Sequence, residues 1–241
     1  NERFPLKGWD TVRVDNPLRY CGKTVGMIKD ESNRHWYYIT QKDEIEQLLM
    51  EENMLGVRTV KAPMPDKNEL YQDCRGVTET EHKWIRSVVG ALSYFAVETR
   101  DDITLEVNRI AQTLSKPTQG TIQAIKRVLA YLSGTSDRCL KVPFTRKNIY
   151  TRYVDSDHAG DRSSGTQSKT GIAFYLNGMP FKWRSKKQPV TALSSTEAEI
   201  YAASEAAKAA KVSQWIAEDM GEDIEWPAKL FVDNSAAINF Q

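Results

Sequence analysis

The stretch from Tyr150 to Tyr201 constrains the fold most, because it combines strand, tight-turn and helix signals in a fixed order. Residues 149–155 are rich in β-branched and aromatic side chains and predict a strand that ends at Asp155. Asn177-Gly178 separates two further apolar runs, at 171–176 and 181–184, which is a strong signal for a β-hairpin. Ser194 then precedes an Ala-rich helix as a good N-cap. The face of this helix predicted to approach the sheet contains Ala198, Ala202, Ala206, Ala209, Val212 and Ile216. The order predicts a sheet with one long helix packed against it.

Three acidic residues lie at the boundaries of these predicted elements. Asp155 is predicted as the last inward residue of its strand, Glu199 lies in the first turns of the helix, and Asp233 ends a later strand at 229–232. Such acids can converge at one sheet edge, where their mutual repulsion would favour hard cations such as Mg²⁺ or Mn²⁺. Acids in these positions are also common on solvated surfaces. The pattern alone leaves both interpretations open.

Composition and charge narrow the class of protein. The chain has 241 residues, of which 40% are hydrophobic, so we expect two compact units. The net charge of +1 requires that any affinity for nucleic acid come from local basic faces. Cys21, Cys74 and Cys139 are odd in number and widely spaced, which favours reduced thiols in an intracellular compartment and no structural zinc. We find no signal peptide and no membrane-spanning run, so we expect a soluble protein.

The first part of the chain predicts a hairpin and a helix. Residues 20–28 and 35–39 flank a turn-rich stretch at 30–33, as antiparallel strands do. A helix is predicted from Thr40, with Asp43 completing a capping box, and with Ile45, Leu48 and Leu49 on one face.

Three amphipathic helices follow a proline-containing linker. Thr78 and Glu81 form a capping box for the first, Thr99 and Asp102 cap the second, and the third ends at Ser133-Gly134. Apolar residues recur on one face of each helix and predict a shared core; they are Ile85, Val88, Val89, Leu92, Phe95 and Ala96, then Ile103, Val107, Ile110, Ala111 and Leu114, then Ile122, Ile125, Leu129 and Leu132.

Several of these segments resemble one family. Residues 154–161, 182–189 and 192–199 together are similar to the ribonuclease H region of copia-type retrotransposon Pol polyproteins. Residues 85–94, 99–103 and 126–135 resemble the connection that precedes that region, and residues 20–22 and 38–41 resemble the end of the reverse transcriptase. Asp101 stands where the family usually has Pro. Because Ser156 follows Tyr153-Val154-Asp155, the paired aspartates of the polymerase site are missing.

The resemblance implies a domain layout and a fold. It places a reverse transcriptase palm/thumb-like segment at 1–64, a linker at 65–78, a helical connection region at 79–146 and a C-terminally incomplete ribonuclease H-like domain at 147–241. The fold class is therefore expected to be α/β (α+β). A ribonuclease H-like mixed sheet with packed helices would follow a small β-hairpin/helix segment and a helical connection bundle.

The resemblance also implies an activity. The expected reaction is two-metal hydrolysis of the RNA strand of an RNA/DNA hybrid, with Mg²⁺ or Mn²⁺ held by Asp155, Glu199 and Asp233 as catalytic and metal-binding residues. The family register selects Glu199 over Glu197. The candidate contacts to nucleic acid are Arg86, Arg109, Lys126, Arg127 and Asn234, although the basic side chains are equally explained as solvated helix faces.

Two functional hypotheses remain open from the sequence. The family has a fourth acid beyond the last residue of this chain, so we expect weak or absent nuclease activity from the chain as it stands. Its partners would be the hybrid, the rest of the Pol polyprotein and a second copy or another protein that covers the incomplete edge. Its location would be intracellular, in a cytoplasmic retrotransposon particle or in the nucleus. The alternative is a non-catalytic, retrotransposon-derived remnant with a structural or interaction role.

Overall fold

A computed structural model describes residues 11–64, 73–145, 148–157, 167–222, 227 and 229–234. Much of the predicted linker at 65–78 lies outside these ranges. The first half contains strands β1 (Leu18–Tyr20), β2 (Lys23–Lys29) and β3 (His35–Thr40) and helices α1 (Lys42–Glu51), α2 (Glu79–Glu98), α3 (Thr104–Gln112) and α4 (Gln119–Ser133). The rest contains β4 (Leu140–Pro143), β5 (Tyr150–Asp157), β6 (Lys169–Leu176), β7 (Met179–Lys187) and α5 (Ser195–Asp219). This confirms the expected mixed α/β class.

The first sheet has the antiparallel order β1-β2-β3-β4. The predicted hairpin between β2 and β3 is confirmed, but the predicted continuous strand at 20–28 is wrong. Cys21 and Gly22 adopt positive φ values of 47° and 63° and turn the chain between β1 and β2. Positive φ at both central residues is the requirement of the type I′ hairpin turn, and Gly22 meets it without steric cost.

Strand β4 forms the other edge of this sheet. It pairs with β3 from Trp36↔Pro143 to Ile39↔Leu140, about a hundred residues apart in the chain. The sequence reasoning assigned residues 140–143 to a purely helical region and did not predict this strand.

Helix α1 begins two residues later than expected, and its predicted capping box is wrong. Gln41 is the N-cap, and its side chain makes no capping hydrogen bond, whereas Thr40 Oγ1 accepts from Lys42 N at 3.2 Å. Gln41 is buried, and its side-chain oxygen accepts a hydrogen bond from Thr99 Oγ1 at 2.8 Å. The side chain therefore ties the helix start to the end of α2.

Helices α1 to α4 share one core. Thr78 and Glu81 form the predicted capping box of α2, and the predicted apolar faces of α2 and α4 are buried, as is most of that of α3. Ile45, Leu48 and Leu49 of α1 join the same cluster. Residues of the segments 1–64 and 79–146 are thus packed together, and their division into separate units stays a prediction.

The connection from α2 to α3 corrects another expected cap. Residues 101–103 form a 3₁₀ turn, and α3 has no side-chain cap within the described residues. Asp102 instead pairs at 2.9 Å with Arg100, whose side chain is only 1% exposed, and accepts a hydrogen bond from Tyr131 at 2.7 Å. Burial alone would raise the pKa of Asp102, but these partners and Arg138 hold it below its usual value.

The second sheet has the antiparallel order β5-β6-β7. The Asn177-Gly178 hairpin is confirmed, with φ values of 50° and 83°. Phe231 runs parallel to β5, where its N–H donates to Arg152 O at 2.9 Å and its C=O accepts from Val154 N at 3.1 Å. Strand β5 therefore has an antiparallel neighbour, β6, and a parallel one at Phe231. The parallel segment brings the residues after it to the end of β5.

Helix α5 packs on one face of the second sheet through small side chains. Its predicted N-cap, Ser194, is confirmed by a bond from Glu197 N. Ala198, Ala202 and Ala206 are buried as predicted, but Val212 and Ile216 are 43% and 55% exposed. The buried stripe continues instead through Ala210, Ser213 and Ala217. Because residues 209 and 210 are both alanine, the sequence did not distinguish the two registers.

The other face of β7 lies against the helical bundle. Trp183 Nε1 donates to Ala96 O at 2.6 Å, and Asn108 Nδ2 donates to Ser185 O at 2.9 Å. These bonds fix α2 and α3 beside the second sheet. No helix in the described parts of the chain is both long and apolar enough to cross a membrane.

Candidate metal centre

Three carboxylates meet at the end of β5. Asp155 comes from β5, Glu199 from the first turns of α5, and Asp233 follows the segment that runs parallel to β5. One oxygen of each lies within 4.8 Å of the others. The predicted convergence is therefore confirmed as geometry, whereas metal binding and catalysis by these residues stay predictions.

Asp155 reaches the cluster from an unexpected direction. The sequence reasoning placed it inward, but the inward positions of β5 are those of Arg152 and Val154, and Asp155 is exposed. Successive side chains of a strand alternate between faces, so Asp155 must share the outer face with Tyr153. Its Oδ1 accepts a hydrogen bond from Ser156 N at 2.7 Å.

Glu199 is the buried member of the cluster, with 5% of its surface exposed. Its Oε1 accepts from Ser156 N at 3.2 Å, while its Oε2 is buried with no hydrogen-bond partner among the described residues. Burial raises the pKa of Glu199, and the charges of Asp155 and Asp233 raise it further. A buried oxygen without a partner is costly, and a cation between the three carboxylates would satisfy it. The donor set, three carboxylates, suits Mg²⁺ or Mn²⁺.

Glu197, the competing acid, has a different role. Its N–H donates to Ser194 Oγ at 3.1 Å, and its Oε2 accepts from Leu193 N at 2.7 Å. Glu197 therefore belongs to the cap of α5 and lies outside the carboxylate cluster.

Gln188 holds the start of α5 in place next to the carboxylate cluster, a role that the sequence reasoning missed. It is 2% exposed, and its Nε2 donates to Thr170 Oγ1 and to Ala198 O, both at 3.0 Å. It therefore ties β6 to the residue directly before Glu199. The sequence around Gln188 did not predict this role, because its hydrogen bonds reach β6 and α5, which are distant in the chain.

A hollow of about 660 Å³ opens beside Asp155 and Asp233. Its walls are mainly apolar and include Tyr153, Ile172, Trp183, Phe231 and Val232. The rings of Tyr153 and Phe231 lie 5.3 Å apart at an angle of 31°. The carboxylates thus border open space as well as the protein interior.

The predicted contacts to nucleic acid lie on several elements of the fold. Arg86 and Lys126 are exposed on α2 and α4, and Asn234 directly follows Asp233. Binding of nucleic acid by any of the five residues stays a prediction.

Two of these predicted contacts lie close enough to a buried acid to act on its charge. Arg109 is only 11% exposed and lies 3.6 Å from Glu106, whose side chain is fully buried. Burial raises the pKa of Glu106, while the charges of Arg109 and Arg127 oppose this. Both arginines therefore act electrostatically on Glu106, which helical periodicity did not reveal.

Comparison with known proteins identifies relatives of the chain. No family model and no solved structure matches the chain. The retrovirus-related Pol polyprotein from transposon RE1 of Arabidopsis thaliana is 32% identical over 96% of the chain, which spans 16% of that polyprotein. An uncharacterised mitochondrial protein of the same plant is 33% identical over 81% of the chain and 78% of its own length. Secreted RxLR effector protein 161 of Plasmopara viticola is 45% identical over 52% of the chain and 87% of its length. Over most of its length the chain is therefore related to one part of the retrovirus-related Pol polyproteins of transposons.

Proposed function

We propose that this chain carries the ribonuclease H site of a retrotransposon Pol polyprotein and hydrolyses the RNA strand of RNA/DNA hybrids. The observation that carries the proposal is the convergence of Asp155, Glu199 and Asp233 around a buried carboxylate oxygen without a partner among the described residues. Similarity to part of the retrovirus-related Pol polyproteins of transposons supports it.

The three carboxylates would hold Mg²⁺ or Mn²⁺. Cations bound there would activate a water and stabilise the leaving oxygen of the cleaved phosphodiester. The chain itself supplies orientation. The N–H of Ser156 donates to both Asp155 and Glu199 and so fixes their relative positions. Gln188 anchors the first turn of α5, from which Glu199 projects.

Access to the site favours a large substrate. Asp155 and Asp233 are exposed, whereas Glu199 is buried behind them. A phosphodiester can therefore approach from the side of the two exposed acids, next to the 660 Å³ hollow. Selection of RNA over DNA would rest on contacts to the 2′-hydroxyl.

The test is cleavage of a hybrid whose two strands carry different labels. We expect weak cleavage in Mg²⁺ or Mn²⁺ that is confined to the RNA strand, and we expect Asp155→Asn to abolish it. Asp157→Asn is the matched control, because Asp157 is an exposed acid of the same strand outside the cluster. Equal cleavage by the Asp155→Asn variant, or cleavage of the DNA strand, would contradict the assignment.

One observation favours a second, non-catalytic candidate. The similarity to an effector protein that the chain covers over 87% of its length indicates that this sequence also occurs outside Pol polyproteins. A remnant with a structural or interaction role should show no cleavage, and it should bind Mn²⁺ no better than its Asp155→Asn variant. Metal binding together with cleavage would exclude this candidate.

The proposed function also implies partners and a location. The substrate would be an RNA/DNA hybrid, and the protein partners would be the rest of a Pol polyprotein or a second copy of the chain. The site of action would be the cytoplasmic retrotransposon particle or the nucleus.

A further inference from the structure

The last turns of helix α5 carry a second apolar surface, which faces solvent. Four large side chains form it, and we call them the α5 stripe: Val212, Trp215, Ile216 and Met220. Spacings of three and four residues place these side chains next to one another on the helix surface. They are 43%, 54%, 55% and 75% exposed, in that order. Contiguous exposed apolar patches, unlike single exposed side chains, mark interaction sites.

The α5 stripe is additional to the face of the helix that packs on the sheet. That face consists of small buried side chains, among them Ala206, Ala210, Ser213 and Ala217. A helix with one packing partner ordinarily has one apolar face and polar residues on the opposite side. Helix α5 therefore has the pattern of a helix with two partners, of which the second sheet is one.

The N-terminal end of the stripe is basic. Lys208 and Lys211 lie there on α5, and the side chain of Lys208 is 71% exposed. A hydrogen bond from Lys208 at 2.9 Å lowers the pKa of the neighbouring Glu205. The charges of Arg184 and Lys186 on β7 lower it further. Cations therefore outnumber acids at this end among the described residues.

The C-terminal end of the stripe is acidic. Glu218, Asp219 and Glu222 follow one another within two turns of the helix end, and all three are exposed. The stripe thus has apolar side chains in its middle, positive charge at one end and negative charge at the other. A surface of this kind is complementary to itself when a second copy of it is reversed.

We propose that the α5 stripe pairs with the same stripe of a second copy of this chain, with the two helices antiparallel. A two-fold axis between residues 213 and 214 places Val212 against the partner's Trp215. The same axis places Lys208 against the partner's Asp219, and each contact occurs twice by symmetry. A parallel pairing would instead bring like charges together at both ends, which is unfavourable.

This pairing leaves both carboxylate clusters accessible. Glu199 lies near the start of α5, about 14 residues before the axis. At 1.5 Å per residue, the two copies of Glu199 are roughly 44 Å apart along the paired helices. Neither metal nor nucleic acid takes part in the pairing, so the inference goes beyond the proposed function and its outcome is independent of it.

Sedimentation equilibrium of the whole chain tests the pairing. A single helix pair is a small interface, so we expect a weak dimer that forms between about 1 and 100 μM. Ile216→Glu should weaken dimerisation at least about 10-fold, because it places a charge in the middle of the interface in both copies. Val97→Glu is the matched control, because Val97 is 70% exposed on another helix, α2.

A charge exchange tests the antiparallel register. Lys208→Glu should weaken the dimer by roughly 3- to 10-fold, because two symmetry-related attractive pairs become repulsive. The double variant Lys208→Glu/Asp219→Lys should regain the affinity of the wild type, because it restores both pairs with the signs exchanged. Both positions are exposed, and circular dichroism will show that the variants are folded.

Carbodiimide cross-linking gives an independent reading of the same register. It joins an amine directly to a carboxylate, and we expect mass spectrometry to find a peptide that links Lys208 to Asp219. These residues are roughly 16 Å apart on one helix, so this link can form only between copies. A mixture of normal and ¹⁵N-labelled chains should therefore yield linked peptides of mixed isotope content.

Four results would overturn the inference. They are a wild-type chain that stays monomeric over the whole concentration range, an Ile216→Glu variant that dimerises as well as the wild type, an equal loss in Val97→Glu, and a double charge variant that remains as weak as Lys208→Glu.

Discussion

Replacement of Glu199 by Gln should stabilise the metal-free chain. Glu199 is buried and lies beside two other carboxylates, so its charge is opposed both by lost hydration and by repulsion. Gln has the same shape and retains an oxygen that accepts from Ser156 N. Its amide group can also donate to Asp155 or Asp233. The substitution therefore removes repulsion and retains the hydrogen bond of the native side chain.

The magnitude follows from the separation of the carboxylates. Two unit charges 4.8 Å apart repel by about 0.9 kcal/mol at the dielectric constant of water and by about 3.5 kcal/mol at an effective value of 20. Asp155 and Asp233 are exposed, so the lower figure applies to each pair. Loss of two pairs should raise the free energy of unfolding by about 2 kcal/mol. For a chain of this size, that is an increase in Tm of roughly 4 to 8 °C.

Thermal unfolding at neutral pH, with chelator and then with Mn²⁺, tests this prediction. The wild-type chain should gain about 2.7 kcal/mol at a Mn²⁺ concentration 100 times its Kd, whereas Glu199→Gln should gain little. The order of the two Tm values should therefore reverse when metal is added. Glu197→Gln is the control, because Glu197 belongs to the helix cap. It should lose about 0.3 to 1 kcal/mol and keep the Mn²⁺ response.

Two results would refute this reasoning. The first is a metal-free Glu199→Gln chain that is no more stable than the wild type. The second is a Mn²⁺-induced rise in Tm that survives the substitution.

Three further substitutions test the surroundings of the site and the two cores. Gln188→Leu should cost about 1 to 3 kcal/mol in urea unfolding, because it leaves buried groups unpaired, and it should weaken Mn²⁺ binding by titration. Ala206→Leu should cost about 1 to 3 kcal/mol by overpacking α5 against the sheet, whereas the exposed Val212→Leu should change stability by less than about 0.5 kcal/mol. Asp102→Asn should cost about 3 kcal/mol at neutral pH by leaving Arg100 buried without its carboxylate. Because the folded pKa of Asp102 lies below its usual value, its contribution is present above the unfolded pKa and disappears as pH falls through the folded one. The difference between wild type and variant should therefore shrink in acid, and a constant difference would contradict the pairing.

Features with local causes could be predicted from the sequence. Asn177-Gly178 specifies its hairpin because both residues tolerate positive φ. Thr78 with Glu81, and Ser194, cap helices through bonds to residues three positions away. The three acids converge because strand ends and helix starts meet at a sheet edge, and a periodic pattern locates those ends.

Features that depend on distant segments could not be predicted. Strand β4 pairs with β3 although about a hundred residues separate them in the chain. Neither short segment contains a sequence pattern that predicts the strand with which it pairs. Gln188 acquires its role only because β6 and α5 meet beside it. Arg109 seemed a surface cation, yet the fold turns it toward the buried Glu106. Asp155 was placed on the wrong face of β5. The inward face of this strand is the one that carries the buried Arg152 and Val154, and Asp155 lies on the opposite face.

The most direct measurement of the central claim is anomalous diffraction from crystals of this chain soaked in Mn²⁺. The account predicts anomalous density between Asp155, Glu199 and Asp233, with Glu199 Oε2 among the ligands. It also predicts loss of that density in Glu199→Gln crystals soaked in the same way. Absence of density at the three carboxylates in the wild type, or density that persists unchanged in the variant, would contradict the assignment of this cluster as a metal centre.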